Sequence, residues 1–520
     1  MQTWISKLIN LEPKKFILLL SLLFGILIFS NKYKSTKYGD FGIMQIQLQE
    51  MIATNFQDFS IQYQGKDIDP NFDFYPFEKP FVGKVSEKFF IVFPIFFPIL
   101  NSLLFKLFSY NGLYIINYLA LVINLFLINE LFIIFNLTKP YRLLGIFLYS
   151  FCGTIVCYNF IFHEYPLAIL TITVAIFFAL KYHQTKHFPS LFLFGLFSGL
   201  SLFFRLDFLF TIIIIGLFTI FFNESSFLKI IYYSFLGIIV PVLILFYSNY
   251  TIHGHPLGLR YVLNLEESNI SLYERSMIIF EMLLSPSRGL LIQSSFVLAI
   301  PIGFFFFRKH LKEYSILLLI ASISTLFILL SSPNDGGHKA PRYLFSIYPF
   351  YILICCIFLF QIRNSNVSIL KKNIYTYTFL FFCIISFLQT IDNLKLLQKL
   401  AKNVIQFNNS ILKESEDRII IFRDRIQSLN SQEIYLTKTL FTVINDSTLK
   451  EFLMKPKFFN QKIIIVHSNY IPLDSKSKSF IESRYERILK ESNHSFHLEW
   501  KQLHSHLELL LVRLDPKPIP

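Results

Sequence analysis

Apolar runs long enough to cross a bilayer recur from Phe16 to Ile391, and only short polar stretches part them. The run "LFTIIIIGLFTIFF" at 209–222 carries no charge at all. Such a chain has no polar face to offer water over most of its length, so its solvent must be lipid. Composition agrees: 53% of residues are hydrophobic and 16% charged, against the roughly 25% charge of an ordinary soluble domain. The first run, 16–30, reads as a retained anchor, because many more runs follow it and no small-residue cleavage site stands out.

The spans expected from these runs are 16–30, 113–135, 143–160, 164–180, 190–204, 208–222, 229–248, 288–307, 314–331, 343–360 and 374–391. The segment 89–109 is interrupted by Pro94 and Pro98 and is placed at the interface. With that choice, the N-terminus and the loops 136–142, 181–189, 223–229, 308–313 and 361–373 share one side, and they hold most of the loop lysines and arginines. The positive-inside rule makes that side cytoplasmic. The loop 31–88, the turn "FHEY", the loops 249–287 and 332–342 and the tail after 392 then face outward. The expected protein is a multi-pass plasma (inner) membrane protein. The net charge of +14 is accounted for by these loops, and nucleic acid is not an expected partner. Cys152, Cys157, Cys355, Cys356 and Cys383 all lie inside apolar runs and read as small buried hydrophobes.

Beyond Asp392 the apolar runs shorten to strand length, as in "RIIIF", "KIIIVHS" and "LELLLVRL", with helical patterns between them. The expected architecture is an all-α polytopic membrane domain, 1–391, with about eleven transmembrane helices and interfacial helices in the first outer loop. A small extracytoplasmic α/β domain, 392–520, follows it. Without a glycine-rich phosphate loop, that tail reads as a lid or docking module.

Ionisable residues at span ends are costly in lipid and therefore informative. Asp40, between Gly39 and Gly42, reads either as the N-cap of a helix starting near Phe41 or as a catalytic carboxylate. His163 and Glu164 occupy a turn between spans, on the same membrane side as Asp40. Arg205 and Asp207 read as an internal ion pair or as a cation for a substrate phosphate. The outer loop supplies Arg260, Arg288, His253 and His255. The two histidines are candidate ligands should a divalent metal be used. "SSPNDGGHKAPRYLFSIYPF" is the densest polar cluster, and its Lys339 and Arg342 at a span entrance suit anion binding.

In order along the chain, "YGDFGIMQ", "FPIFFPILNSLLFKLFSYNGLYIINYLALVINLFLI", "GLFSGLSLFFRLDFLF", "SPSRGLLIQSSFVL" and "GGHKAPRYLFSIYPF" resemble the GT-C class of membrane glycosyltransferases. The likeness is in particular to bacterial relatives of the dolichyl-phosphate-mannose protein mannosyltransferases and the lipid A aminoarabinose transferases. The resemblance implies transfer of a sugar from a polyprenyl-phosphate carrier to a lipid, glycan or protein acceptor at the outer face. It matches Asp40 to the acidic general base of the first outer loop and Glu164 to a second acidic position. The chain departs from many such relatives at Phe41, where they carry an acid, and at His338, Lys339 and Ala340, where they carry tryptophans. The chemistry needs a base for the acceptor hydroxyl and cations for the departing phosphate. Arg342, Lys339, Arg205, Arg260 and Arg288 are the candidates for the second task. The rival readings are a transporter, a non-catalytic envelope scaffold, and a ligase or polymerase of lipid-linked glycans. A transporter calls for charges near the bilayer midplane and for paired repeats. Here the charges sit at span ends.

Overall fold

Proline opens many of the apolar helices. Pro13–Phe29, Lys139–Phe151, Tyr165–Thr185, Phe188–Phe204 and Tyr348–Asn364 each carry it in their first two positions. There the missing N–H costs nothing and the fixed φ suits the helix. The computed structural model describes residues 11–77, 80–222, 227–266, 270–334, 336, 340–415, 418–469, 473–490, 494–504 and 507–516. The chain divides into two compact units, Met1–Lys34 with Pro94–Leu397 and Ser35–Phe93 with Gln398–Pro520.

The first unit is helical. Its helices bury one stripe and leave the other apolar. In Pro13–Phe29, Ile17, Leu20, Phe24 and Ile28 are buried, whereas Leu18, Leu19 and Leu22 are exposed. An exposed leucine face of this kind suits lipid, where every backbone group must also be satisfied within the helix. Among the described residues, five helical passages are long and apolar enough to cross a membrane: Phe96–Ile134, Tyr165–Thr185, Phe227–His253, Arg342–Asn364 and Ile369–Leu412. Lys139–Phe151 with Thr154–Phe160, bent by 57°, makes a sixth. Shorter apolar helices occupy Phe188–Phe204, Leu206–Phe221 and Ser315–Ser331. The five cysteines are free and buried.

Three stretches differ in form from the expected helices. The expected span 288–307 is broken into Leu290–Gln293, a 3-10 turn Ser295–Leu298 and Ala299–Phe307. Serines at the break supply alternative partners: Ser295 Oγ donates to the Ile292 carbonyl, and the Phe296 N–H is taken by Ser386 Oγ at 3.0 Å. The segment 89–109 divides between a strand, Lys88–Ile91, and the helix Phe96–Phe108. The helix covering 374–391 runs on to Leu412, so residue 392 falls inside a continuous helix.

The second unit is α/β. Strands β1 (Val82–Val85) and β2 (Lys88–Ile91) form an antiparallel pair. The main sheet is built from β3 (Arg418–Phe422), β4 (Leu440–Thr442), β5 (Lys462–Asn469), β6 (His494–His504) and β7 (Leu507–Pro516), in the order β4-β3-β5-β7-β6. β3 runs parallel to β4 and β5, while β7 is antiparallel to both β5 and β6. The strands in the middle are continuous apolar runs because both faces are covered. Ile421, Phe441, Phe452, Ile465 and Val512 lie at the core.

The first outer loop belongs to this unit. Tyr63, Ile68 and Phe74 pack against its core. The Thr442 N–H donates to the Phe74 carbonyl at 3.0 Å, and Ser428 Oγ donates to the Pro76 carbonyl at 2.6 Å.

In the first unit glycines let Phe188–Phe204 and Phe227–His253 approach closely. A Cβ on Gly195 would lie 2.0 Å from the Ser234 carbonyl oxygen, and one on Gly237 would lie 2.1 Å from that of Phe192. Small residues let helix backbones meet in lipid, where no hydrophobic force drives them together. Gly195→Ala should therefore separate Phe188–Phe204 from Phe227–His253. An overpacking cost of about 1–3 kcal/mol is expected, read as a lowered melting temperature in detergent. An unchanged melting temperature would mean that this contact yields freely.

Candidate active site

The helix Gly39–Ala53 begins two residues before the start expected near Phe41. Its N-cap is Tyr38, whose side chain makes no capping bond, and Asp40 stands inside the first turn. Asp40 is thus not the cap. Its negative charge at the N-terminal end is favoured by the helix dipole. Its side chain is 2% exposed. Burial pushes the Tyr38 phenol well above its ordinary value, so Tyr38 stays neutral beside it. Asp40 belongs to the α/β unit.

In the helical unit, Glu164 stands just before Tyr165–Thr185, and Pro166 fixes the start of that helix. Its carboxylate is split between two partners: Oε2 lies 2.8 Å from His163 Nδ1, and Oε1 accepts from Arg205 Nη1 at 3.0 Å. Arg205 closes the helix Phe188–Phe204, and its Nε donates to Asp207 Oδ1 at 2.8 Å. The guanidinium lies 4.4 Å from the Tyr165 ring centroid and 5.8 Å from that of Tyr343. The expected internal Arg205–Asp207 pair is present, and Glu164 joins it.

Tyr343 links this cluster to two more arginines. Its hydroxyl accepts from Arg260 Nη2 at 3.1 Å and donates to Asn334 Oδ1 at 2.9 Å. The Arg342 guanidinium lies 5.8 Å from the same ring, and Arg342 is 6% exposed. Asn334 Oδ1 also accepts from the Gly336 N–H at 2.9 Å. Gly336 takes φ +93, which L side chains rarely adopt. Three guanidiniums and two carboxylates thus gather around two tyrosines. Planar guanidiniums suit phosphate recognition.

The remaining candidates fall elsewhere. Lys339, with Asp335, Gly337 and His338, lies outside the described residues. Arg288 is half-buried on the turn before Leu290–Gln293. His253 is buried at the end of Phe227–His253. His255 stacks on Tyr261, and its Nδ1 accepts from the Leu257 N–H at 3.2 Å, which occupies that nitrogen. Among the described residues no group of three or more His, Cys, Asp or Glu is placed to hold a metal ion. Sequence reading had not singled out Tyr165 and Tyr343 as site residues. The available signal was that each follows a charged residue directly, in "HEYP" and "PRY".

No family model matches the chain, and no curated protein matches it. Solved structures do. ArnT from Cupriavidus metallidurans in the apo state aligns at TM-score 0.55 and 9% identity, covering 96% of this chain and 98% of that one. The same protein bound to undecaprenyl phosphate aligns at 0.53 and 10%, with 96% and 98% covered. The archaeal oligosaccharyltransferase AglB from Archaeoglobus fulgidus, in complex with an inhibitory peptide and a dolichol-phosphate, aligns at 0.51 and 10%, with 98% and 75% covered. The fold is that of the GT-C glycosyltransferases. At this identity the likeness establishes the fold, and the chain is a multi-pass membrane protein.

The ion cluster generates a prediction. Glu164 is fully buried, and breaking a buried pair from one side costs about 3–5 kcal/mol. Asp207 remains as a partner for Arg205, so Glu164→Gln should fall at the low end of that range, read as a drop in melting temperature. Arg205→Lys should cost a similar amount, because one ammonium does not reproduce two separate guanidinium contacts. Full stability in both variants would show that these charges are solvated rather than paired.

Proposed function

We propose that this chain is a membrane glycosyltransferase that moves one sugar from a polyprenyl-phosphate carrier to an envelope lipid, glycan or protein acceptor. The reading places the reaction on the outer face of the plasma (inner) membrane, with the C-terminal α/β unit on that side. It keeps eleven crossings, the short apolar helices included. The observation that carries it is the gathering of Arg205, Arg260 and Arg342 around Tyr343 at the entrance of Arg342–Asn364, in a chain with the GT-C fold.

The roles follow from the chemistry. Asp40 is the base that takes the proton of the acceptor hydroxyl as its oxygen bonds to the anomeric carbon. The bond from that carbon to the phosphate oxygen breaks, and polyprenyl phosphate leaves with the electron pair. Charge grows on the phosphate in the transition state, and fixed cations are most effective there. Arg342 and Arg260 are assigned to that phosphate, with Lys339 and Arg288 as further cations. Arg205 faces two carboxylates and is assigned to holding the cluster's shape, with Glu164 as its partner. ArnT bound to undecaprenyl phosphate and AglB with a dolichol-phosphate support a carrier of this class. The second reading, a ligase or polymerase of lipid-linked glycans, uses the same groups and differs in the size of the unit moved.

The test is to incubate the purified protein in lipid nanodiscs with radiolabelled undecaprenyl-phosphate sugars and envelope lipids. One-sugar transfer with release of undecaprenyl phosphate is expected. No consumption of any donor would sink the proposal, and transfer of an intact oligosaccharide would favour the ligase. Asp40→Asn keeps size and removes the proton acceptor. Turnover should fall about 10²–10⁴-fold, the usual contribution of a general base, while the protein still folds. Arg342→Ala should raise the KM for the donor, and Arg342→Lys should recover only part of the loss. An unchanged KM in Arg342→Ala would return this arginine to a structural role.

A further inference from the structure

The first turn of the Asp40 helix is held by the C-terminal tail. Lys37, three residues before Asp40, has a side chain only 1% exposed, and its ammonium pairs with Glu433 Oε2 at 3.0 Å. An ammonium so far out of water needs an anionic partner, and Glu433 is the carboxylate bonded to it. The neighbouring Gln432 donates from Nε2 to the Gly39 carbonyl at 3.0 Å. That carbonyl shares its rigid peptide plane with the Asp40 N–H. Fixing one fixes the plane on which Asp40 enters the helix. Gly39 has φ +57 and is a joint that few other residues could make.

Packing reinforces the same grip. A Cβ on Gly42 would lie 1.7 Å from Gln432 Oε1, so the glutamine fits against this turn only because Gly42 has no side chain. Tyr435, at the end of the same short helix Gln432–Tyr435, donates to the Gln62 carbonyl at 2.6 Å. The segment leading into that helix is tied to the sheet: Ser428 Oγ lies 2.7 Å from Thr442 Oγ1, at the end of β4. The contacts on the Asp40 turn are therefore backed by the sheet.

We propose that Gln432 and Glu433 are positioning residues for Asp40, and that the C-terminal α/β unit serves to hold this carboxylate in register. The assignment rests on the reading of Asp40 as the base. Misplacing a reacting group by about 1 Å can cost about 100-fold in rate, so a catalytic carboxylate borne on a loop helix needs such a frame. Gln432 and Glu433 touch neither the donor nor the acceptor in this scheme. They act only through the turn 37–42.

The test uses the full chain in nanodiscs and the undecaprenyl-phosphate sugar that supports turnover in the panel above. Gln432→Glu keeps the shape and loses the N–H donor to Gly39, and Glu433→Gln removes the charge facing Lys37. Each should lower kcat by about 10- to 100-fold, with donor KM within about twofold. Hydrogen exchange should rise over 39–44 and stay constant in β3 and β5. In an Asp40→Asn background neither substitution should lower the residual rate further, because its effect passes through Asp40. Should Glu433→Gln fail to fold, Gln432→Glu carries the test alone, since it leaves the ion pair intact. Full kcat and unchanged exchange in both variants, beside an inactive Asp40→Asn, would overturn the positioning role alone. So would a multiplied loss in the double variants. Full turnover in Asp40→Asn would overturn the base reading and this assignment together.

Discussion

The Arg205 guanidinium is 3% exposed and is tolerable there only because Glu164 and Asp207 both reach it. Taking such a group out of water costs several kcal/mol, and attraction offsets this only when geometry is good and every polar atom finds a partner. Much of the helical unit's polar architecture follows from that requirement. Glu164 must come from one helix start and Arg205 from another helix end, which fixes Tyr165–Thr185 against Phe188–Phe204. Tyr165 and Tyr343 then cover the guanidinium with their ring faces. Tyr343, held from both sides by Arg260 and Asn334, sets where the next cation stands. A lipid-soluble bundle has little directional force between its helices. One charge cluster with directional bonds can supply the register that apolar contacts leave loose.

The α/β unit meets the opposite problem. Its buried core residues all come from the tail, between Ile419 and Leu514. The first outer loop completes it: Tyr63, Ile68 and Phe74 pack on the core formed by Phe441, Phe452 and their neighbours. Two segments separated by some three hundred residues of membrane chain thus form one unit. A loop that borrows its core from the tail has its conformation set by the tail. This coupling of stability to geometry is why Gln432 and Glu433 can influence a helix they do not belong to.

What could be read from the residues divides along the same line. Local features were legible. Apolar runs marked the helices, "RIIIF" and "KIIIVHS" marked strands, and the Arg205–Asp207 pair was visible at two residues' separation. Features that depend on distant partners were not. Nothing in "YQGKDIDPNFDFYP" says that Phe74 will accept a bond from Thr442, and nothing near Glu164 points to Arg205, 41 residues on. The start of the Asp40 helix was missed for a related reason. Asp is a common cap, but here Gly39 turns the chain first and Gln432 holds its carbonyl, so the helix begins before the aspartate. The break in 288–307 was hidden because its polar groups find partners on distant segments: the Phe296 N–H donates to Ser386 Oγ, and Ser294 Oγ lies 3.1 Å from the Tyr348 hydroxyl.

One asymmetry separates the two acids. Glu164 is fully buried, its Oε1 accepting from Arg205 Nη1 and its Oε2 lying 2.8 Å from His163 Nδ1. A carboxylate so occupied is a poor proton acceptor for an incoming hydroxyl, since taking a proton would break a contact that its burial requires. Asp40 stands in the first turn of a helix, where the dipole is complementary to negative charge. Glu164 is held by direct ion pairing, and Asp40 lies in the backbone field of a helix start. The resemblance to GT-C enzymes matches both acids to acidic positions. The proposed roles give the proton to Asp40 and leave Glu164 to hold Arg205.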